Sequence, residues 1–115
     1  MLIFFLLAGT TMLAAGAAAS ATEPLCQRNR VCIFDGNDFA GLLGARRPGG
    51  RLKNVSSTAN DKTDSWKNRT RRNAAWYHDR GGEGDCTRMK RRSEDPNINF
   101  FDSDELSSWR TNRGC

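Results

Sequence analysis

The chain has 115 residues, a net charge of +5 from 18 Lys and Arg against 13 Asp and Glu, and a single histidine. That length sets a limit of one domain with a modest core. With one histidine, and neither Gly-x-Ser-x-Gly nor His-Glu-x-x-His present, serine-hydrolase and zinc-protease readings find little support and no enzyme is expected.

Residues Met1 to Ala21 carry no charge, begin with an apolar run, Leu2 to Ala8, and end in Ala19-Ser20-Ala21. That small-x-small ending is the pattern a signal peptidase accepts. A membrane anchor fits less well, because beyond Leu13 only Ala, Gly and Ser follow. A signal peptide over 1–21 is therefore expected, leaving a secreted domain over 22–115. Cys26, Cys32, Cys86 and Cys115 all lie in that domain. An even cysteine count in a short exported chain reads as a disulfide framework. Of the three possible pairings, Cys26–Cys32 with Cys86–Cys115 is favoured. The first closes a small loop where the domain begins, and the second pins the carboxy terminus. Zinc fits poorly, because no Cys-x-x-Cys occurs and His78 stands alone.

Apolar residues come in short groups, Val31–Phe34, Leu52–Val55, Ala74–Tyr77 and Ile98–Phe101, separated by Gly, Asn, Asp, Ser and Pro. This predicts short strands in an all-β sandwich or barrel. Helix is expected only as a turn or two near Asp102–Glu105. A shift of 43 residues aligns Phe34 with Tyr77, Gly41 with Gly84, Asp61 with Asp104, Ser65 with Ser108 and Trp66 with Trp109. Each half has an aromatic followed seven residues later by glycine, then an acidic, hydroxyl-rich loop ending in Ser-Trp. Two repeats follow, about 26–70 and 71–115, with the two tryptophans in equivalent buried positions. Gly82 stands opposite Phe39, so a distorted second hairpin is expected.

The aromatic-x6-Gly pattern, with Asn-Asp-x-x-(Ser/Thr)-Ser before a strand, resembles the βγ-crystallin Greek-key signature. The longer run is more specific. Cys26-x5-Cys32, Ile33 to Gly41, Asn60-Asp61-Lys62 and Asn68-Arg69-Thr70 together resemble the secreted bacterial peptidase inhibitors of βγ-crystallin-like fold (peptidase inhibitor family thirty-six). The resemblance implies a double Greek-key sandwich, an extracellular protease partner with metallopeptidases favoured, and calcium as a possible ligand. It implies one calcium site from Asp104, the Lys62 carbonyl and Asp64. The other would take Asp61, the Glu105 carbonyl and Ser107. Asp64 stands where the pattern has Ser or Thr, and Ser103 where it has Asn or Asp.

Arg88-Met89-Lys90-Arg91-Arg92 follows Cys86. If Cys86 pairs with Cys115, this run forms a loop tied at its base and suited to a protease cleft. It also suggests a basic antimicrobial or polyanion-binding protein. Nucleic acid is not expected, since no aromatics interleave the charges. His78 and Asp79 read as a solvated turn, and the Asn54 and Asn68 glycosylation patterns as chance. The reading is a monomeric inhibitor. A calcium-stabilised structural domain is the alternative, and a polyanion binder the second.

Overall fold

The computed structural model describes residues 25–115, so the signal-peptide reading of 1–21 lies outside the described residues. Eight strands run in chain order: β1 Val31–Gly36, β2 Ala40–Arg46, β3 Lys53–Asn54, β4 Ser65–Asn68, β5 Ala74–Tyr77, β6 Cys86–Met89, β7 Ser93–Asp95 and β8 Ser108–Arg110. They form two antiparallel sheets, ordered β2-β1-β4-β7 and β3-β8-β5-β6. Each half of the chain lends its third strand to the other sheet. β3 pairs with β8 through Lys53↔Trp109, and β7 with β4 through Trp66↔Asp95. This exchange is the double Greek key, and neither half can leave without breaking a ladder in the other. Among the described residues no helix is long and apolar enough to cross a membrane.

β1 reads as a continuous apolar run because it is buried on both faces. Val31 and Ile33 point between the sheets, into a core with Trp66, Trp76, Met89 and Trp109, closed by Val55, Ala59, Ile98 and Leu106. Alternation sends Cys32 and Phe34 to the opposite face, where they pack with Cys26, Phe39 and Leu42. The Cys26–Cys32 disulfide belongs to this outer cluster, and Cys86–Cys115 ties β6 to the chain end. Trp66 and Trp109 are both buried in the one central core, as the repeat predicts.

The repeat is reproduced atom for atom in the hairpins. Ser65 Oγ donates to the Gly36 carbonyl at 2.6 Å and accepts from the Phe39 N–H at 3.0 Å. Ser108 Oγ donates to the Asp79 carbonyl at 2.6 Å and accepts from the Gly82 N–H at 2.9 Å. The distortion expected at Gly82 is absent. Phe39 and Gly82 share a left-handed backbone, with φ 63° and 73°. Phe39 is the unusual member, since this conformation is costly for a bulky residue. Its ring packs edge-on against Phe34 and lies under the Lys67 ammonium, 4.3 Å from the centroid. Glycine avoids the cost in the second repeat, where a Cβ on Gly82 would sit 2.7 Å from Leu52 Cδ2. Ser65→Ala and Ser108→Ala should each cost about 1–2 kcal/mol, because each strands a partly buried N–H and a carbonyl. Urea unfolding of the two variants measures this, and a clear loss in one with none in the other would contradict equivalent hairpins.

Three expectations are corrected. Ile98–Phe101 is a loop, not a strand: Ile98 is buried but Phe100 and Phe101 are exposed. No helix forms at 102–105, where 100–104 is a turn closed by the Ser103 N–H on the Asn99 carbonyl at 2.9 Å, and the short turns at Asn37–Phe39 and Arg80–Gly82 contain left-handed residues. Arg88 and Met89 belong to β6, with consequences for the site described next.

Candidate functional site

The two acidic loops meet across the pseudo-twofold axis. Asp61 and Asp104 share a left-handed backbone, φ 59° and 61°. The Asp61 N–H donates to the Leu106 carbonyl and the Asp104 N–H to the Thr63 carbonyl, both at 3.1 Å. Each loop therefore shapes the other. Ser107 Oγ donates to Asp61 Oδ1 at 2.9 Å and lies 3.4 Å from the Glu105 carbonyl, so Asp61, Glu105 and Ser107 converge. In the other set, Ser103 Oγ donates to Asp64 Oδ1, and the Asp64 carboxylate acts on Asp104. Lys62 is exposed beside them.

Whether these loops suit calcium is a question of oxygens and charge. Among the described residues no three His, Cys, Asp or Glu side chains gather at one point, so hydroxyl and carbonyl oxygens must complete any site, as calcium tolerates. Slight desolvation by the surrounding loops, then the Asp64 carboxylate, then Asp35 and Asp61 raise the Asp104 carboxyl above its ordinary range. The first loop also holds two buried side-chain oxygens, Asn60 Oδ1 and Thr63 Oγ1, without a hydrogen-bond donor. An oxygen-rich pair of loops that disfavours its own negative charge fits a hard cation. The sign for pH follows. A raised folded-state pKa means the folded chain holds the proton longer than the unfolded one. This group's contribution is present at low pH and is lost as pH rises through the raised value. Asp104→Asn should therefore raise the cation-free melting temperature at neutral pH and abolish any gain from added calcium. A thermal melt with calcium and with chelator measures both, and an unchanged calcium response would place the ion elsewhere.

The basic run does not form the loop expected of it. Met89 is fully buried in the core, and Arg88 lies on β6. The alternation of a strand points Met89 inward and its neighbours out. Only Lys90, Arg91 and Arg92 form the connection to β7. They are fixed by Arg91 N–H to Asn73 Oδ1 at 2.9 Å and Arg92 N–H to the Thr70 carbonyl at 3.1 Å. Cys86 pairs with Tyr77 and Met89 with Ala74, so the disulfide lies at the far end of β6 and does not tie the base of this loop.

A different loop has the properties sought. Phe100 and Phe101 are 89% and 84% exposed, with their rings edge to face at 5.7 Å. Asn99 folds the backbone beneath them. Its Oδ1 accepts from the Phe101 and Asp102 N–H groups at 2.9 and 3.2 Å, and its Nδ2 donates to Asp102 Oδ2 at 2.8 Å. Asp102 Oδ1 is 2.9 Å from His78 Nε2, and the His78 ring is stacked on buried Trp76. His78 is thus a half-buried strut between core and loop, not the solvated turn expected. The apolar run at 98–101 predicts a strand through Phe100 and Phe101, whereas the Asn99–Asp102 spacing is the sign of a turn.

Residues 19–89 match peptidase inhibitor family I36. The chain belongs to that family. Membership places the I36 chain among peptidase inhibitors, and its two disulfides are compatible with an extracellular setting. The Phe100–Phe101 loop lies beyond the matched residues. No curated protein matches the chain. Among solved structures it is similar to one on the evolution of the eye lens βγ-crystallin domain fold, at 18% identity and a TM-score of 0.63, covering 76% of this chain and 92% of that one. It is also similar to βγ-crystallin domains from Flavobacterium johnsoniae (19%, TM-score 0.57, 70% and 90% covered) and Clostridium beijerinckii (16%, 0.58, 70% and 94%). At these identities the likeness shows the fold, which is that of a βγ-crystallin domain.

Proposed function

We propose that the mature chain inhibits an extracellular peptidase, with a metallopeptidase the favoured target, by inserting a loop into the substrate cleft. Membership of the I36 family is the observation that carries the inhibitory reading. Two loops compete for the contact. Lys90–Arg92 offers exposed charges, each worth about 0–1 kcal/mol against a partner charge in water. Phe100–Phe101 offers two aromatic side chains, each worth about 1.5–3 kcal/mol when buried. The aromatic loop is also held by Asn99 and by the Asp102–His78 contact, so little entropy is lost when it docks. We assign the insertion to Phe100 and Phe101, with the basic residues at the rim. Purified mature protein assayed against thermolysin-like, serine and cysteine peptidases should show slow-dissociating inhibition of at least one, strongest in the first class.

The oxygens gathered by Asp61, Glu105 and Ser107, and by Asp64, Ser103 and Asp104, support a second reading, a calcium-stabilised structural domain. Calcium would supply charge balance between the loops, and Asp61 and Asp104 would hold it. No inhibition in any class, with a large calcium-dependent gain in melting temperature, would favour this second reading.

A further inference from the structure

Strand register sorts the charges of this molecule to its two ends. At one end Val31 pairs with Arg46 and Asn68, Asn68 with Ser93, Ala74 with Met89, and Ala75 with Arg110. The connections there, 26–30, 46–51, 69–73, 90–92 and 110–113, contain 13 Lys and Arg and no Asp or Glu. At the other end Phe34 pairs with Ser65, Trp66 with Asp95, and Tyr77 with Cys86 and Ser108. The connections 35–39, 60–64, 78–85 and 95–105 carry 11 Asp and Glu against Lys62 and Arg80. The two charge types are therefore kept about a strand length apart. Among the described residues the only carboxylate contacts at ion-pair distance are those of His78, so no arginine there has a carboxylate partner.

The basic end contains a cleft of about 980 Å³ lined by Arg28, Arg69, Arg71, Arg72 and Arg92, with Glu94 the only acidic residue on its wall. Arg69 donates to the Cys26 carbonyl at 2.5 Å and Arg72 to the Asn112 carbonyl at 2.9 Å. One N–H of each guanidinium is thus engaged, which holds the group in place and leaves other donors free. Arg28, Arg71 and Arg92 have no side-chain partner among the described residues. Asn68, on the same wall, spends its amide on the Arg72 and Met89 carbonyls and on Thr70, so recognition falls to the guanidinium groups.

We propose that this arginine cleft binds an anionic polymer that carries phosphate or sulfate groups in series, such as a polyphosphate or a sulfated glycan. Guanidinium forks match tetrahedral oxyanions with paired hydrogen bonds. Five of them along one open cleft call for successive charges, not one ion. A protein partner needs an apolar patch to desolvate, and Pro48 is the only apolar residue on this wall. Single-stranded nucleic acid needs aromatic stacking platforms, and the cleft has none. Because the Phe100–Phe101 loop lies at the opposite end, the polymer and a peptidase can be bound at once.

The test is titration of the mature protein with sodium polyphosphate, dextran sulfate, neutral dextran and hexaglutamate across a salt series. Polyphosphate and dextran sulfate should bind, with affinity falling steeply as salt rises. The variant Arg28→Ala/Arg71→Ala/Arg92→Ala should lose tenfold or more at about 0.1 M salt, and its log–log salt slope should flatten by about 2–3. Lys53→Ala/Lys62→Ala/Arg80→Ala removes the same charge elsewhere and should stay within about twofold. All six side chains are exposed, and melting curves confirm that the variants fold. Equal losses in the two triple variants would reduce the effect to net charge and overturn the site. No binding at about 0.1 M salt would also overturn it. Hexaglutamate bound as tightly as polyphosphate, with the same sensitivity to the cleft variant, would overturn the phosphate or sulfate assignment in favour of an acidic protein segment.

Discussion

Replacing Phe100 and Phe101 together by Ser is expected to weaken inhibition of the target peptidase by roughly a hundred- to a thousandfold, since each side chain is a candidate anchor worth about 2 kcal/mol or more. The folded protein should barely notice, because both rings are exposed and outside the core. Stability by urea unfolding and inhibition by progress curves therefore separate cleanly. The loss should appear in dissociation, since apolar anchors govern how long the complex survives. His78→Ala should give a smaller loss in the same direction by freeing Asp102 and the loop above it. In contrast, Lys90→Ala/Arg91→Ala/Arg92→Ala should slow association at low salt with dissociation little changed. A large loss in that variant, with full inhibition by the serine pair, would move the contact to the basic loop.

Removing the Cys86–Cys115 disulfide, as Cys86→Ser/Cys115→Ser, should cost about 3.5 kcal/mol, and removing Cys26–Cys32 about 2 kcal/mol. The order follows from the lengths of chain closed, 29 and 6 residues, because a longer closed loop removes more freedom from the unfolded state. In a domain of this size the first loss corresponds to a fall in melting temperature on the order of 15–25 °C. The two bridges also guard different things. Cys26–Cys32 covers Phe34 on the outer face of β1, whereas Cys86–Cys115 holds the tail along edge strand β6, where Gly114 lies against Arg88. Thermal melts of the two double variants measure both effects. A loss under about 1 kcal/mol for the longer bridge would mean that the unfolded chain is already compact enough to make the cross-link redundant.

The sequence alone determined the features that repeat or that depend on local chemistry. Aromatic-x6-Gly, Asp61 with Asp104, and Ser-Trp at 65–66 and 108–109 recur at one offset. Each recurs for a local reason: a left-handed glycine, a left-handed loop acid, a serine that closes a hairpin, and a tryptophan that enters the core. The all-β class and the two disulfides were legible for the same reason. Tertiary structure decided whatever depends on which strand lies beside which. Met89 is surrounded in sequence by cations, yet the register of β6 on β5 turns it inward. Phe100 and Phe101 read as strand, yet the Asn99 turn and the absence of a partner strand leave them in solvent. The arginines that line one cleft come from 28, 69–72 and 92, and no spacing along the chain links them. They are gathered because antiparallel strands return the chain to the same end of the sheet, and that closure is set by pairing across the sandwich, which local sequence does not encode.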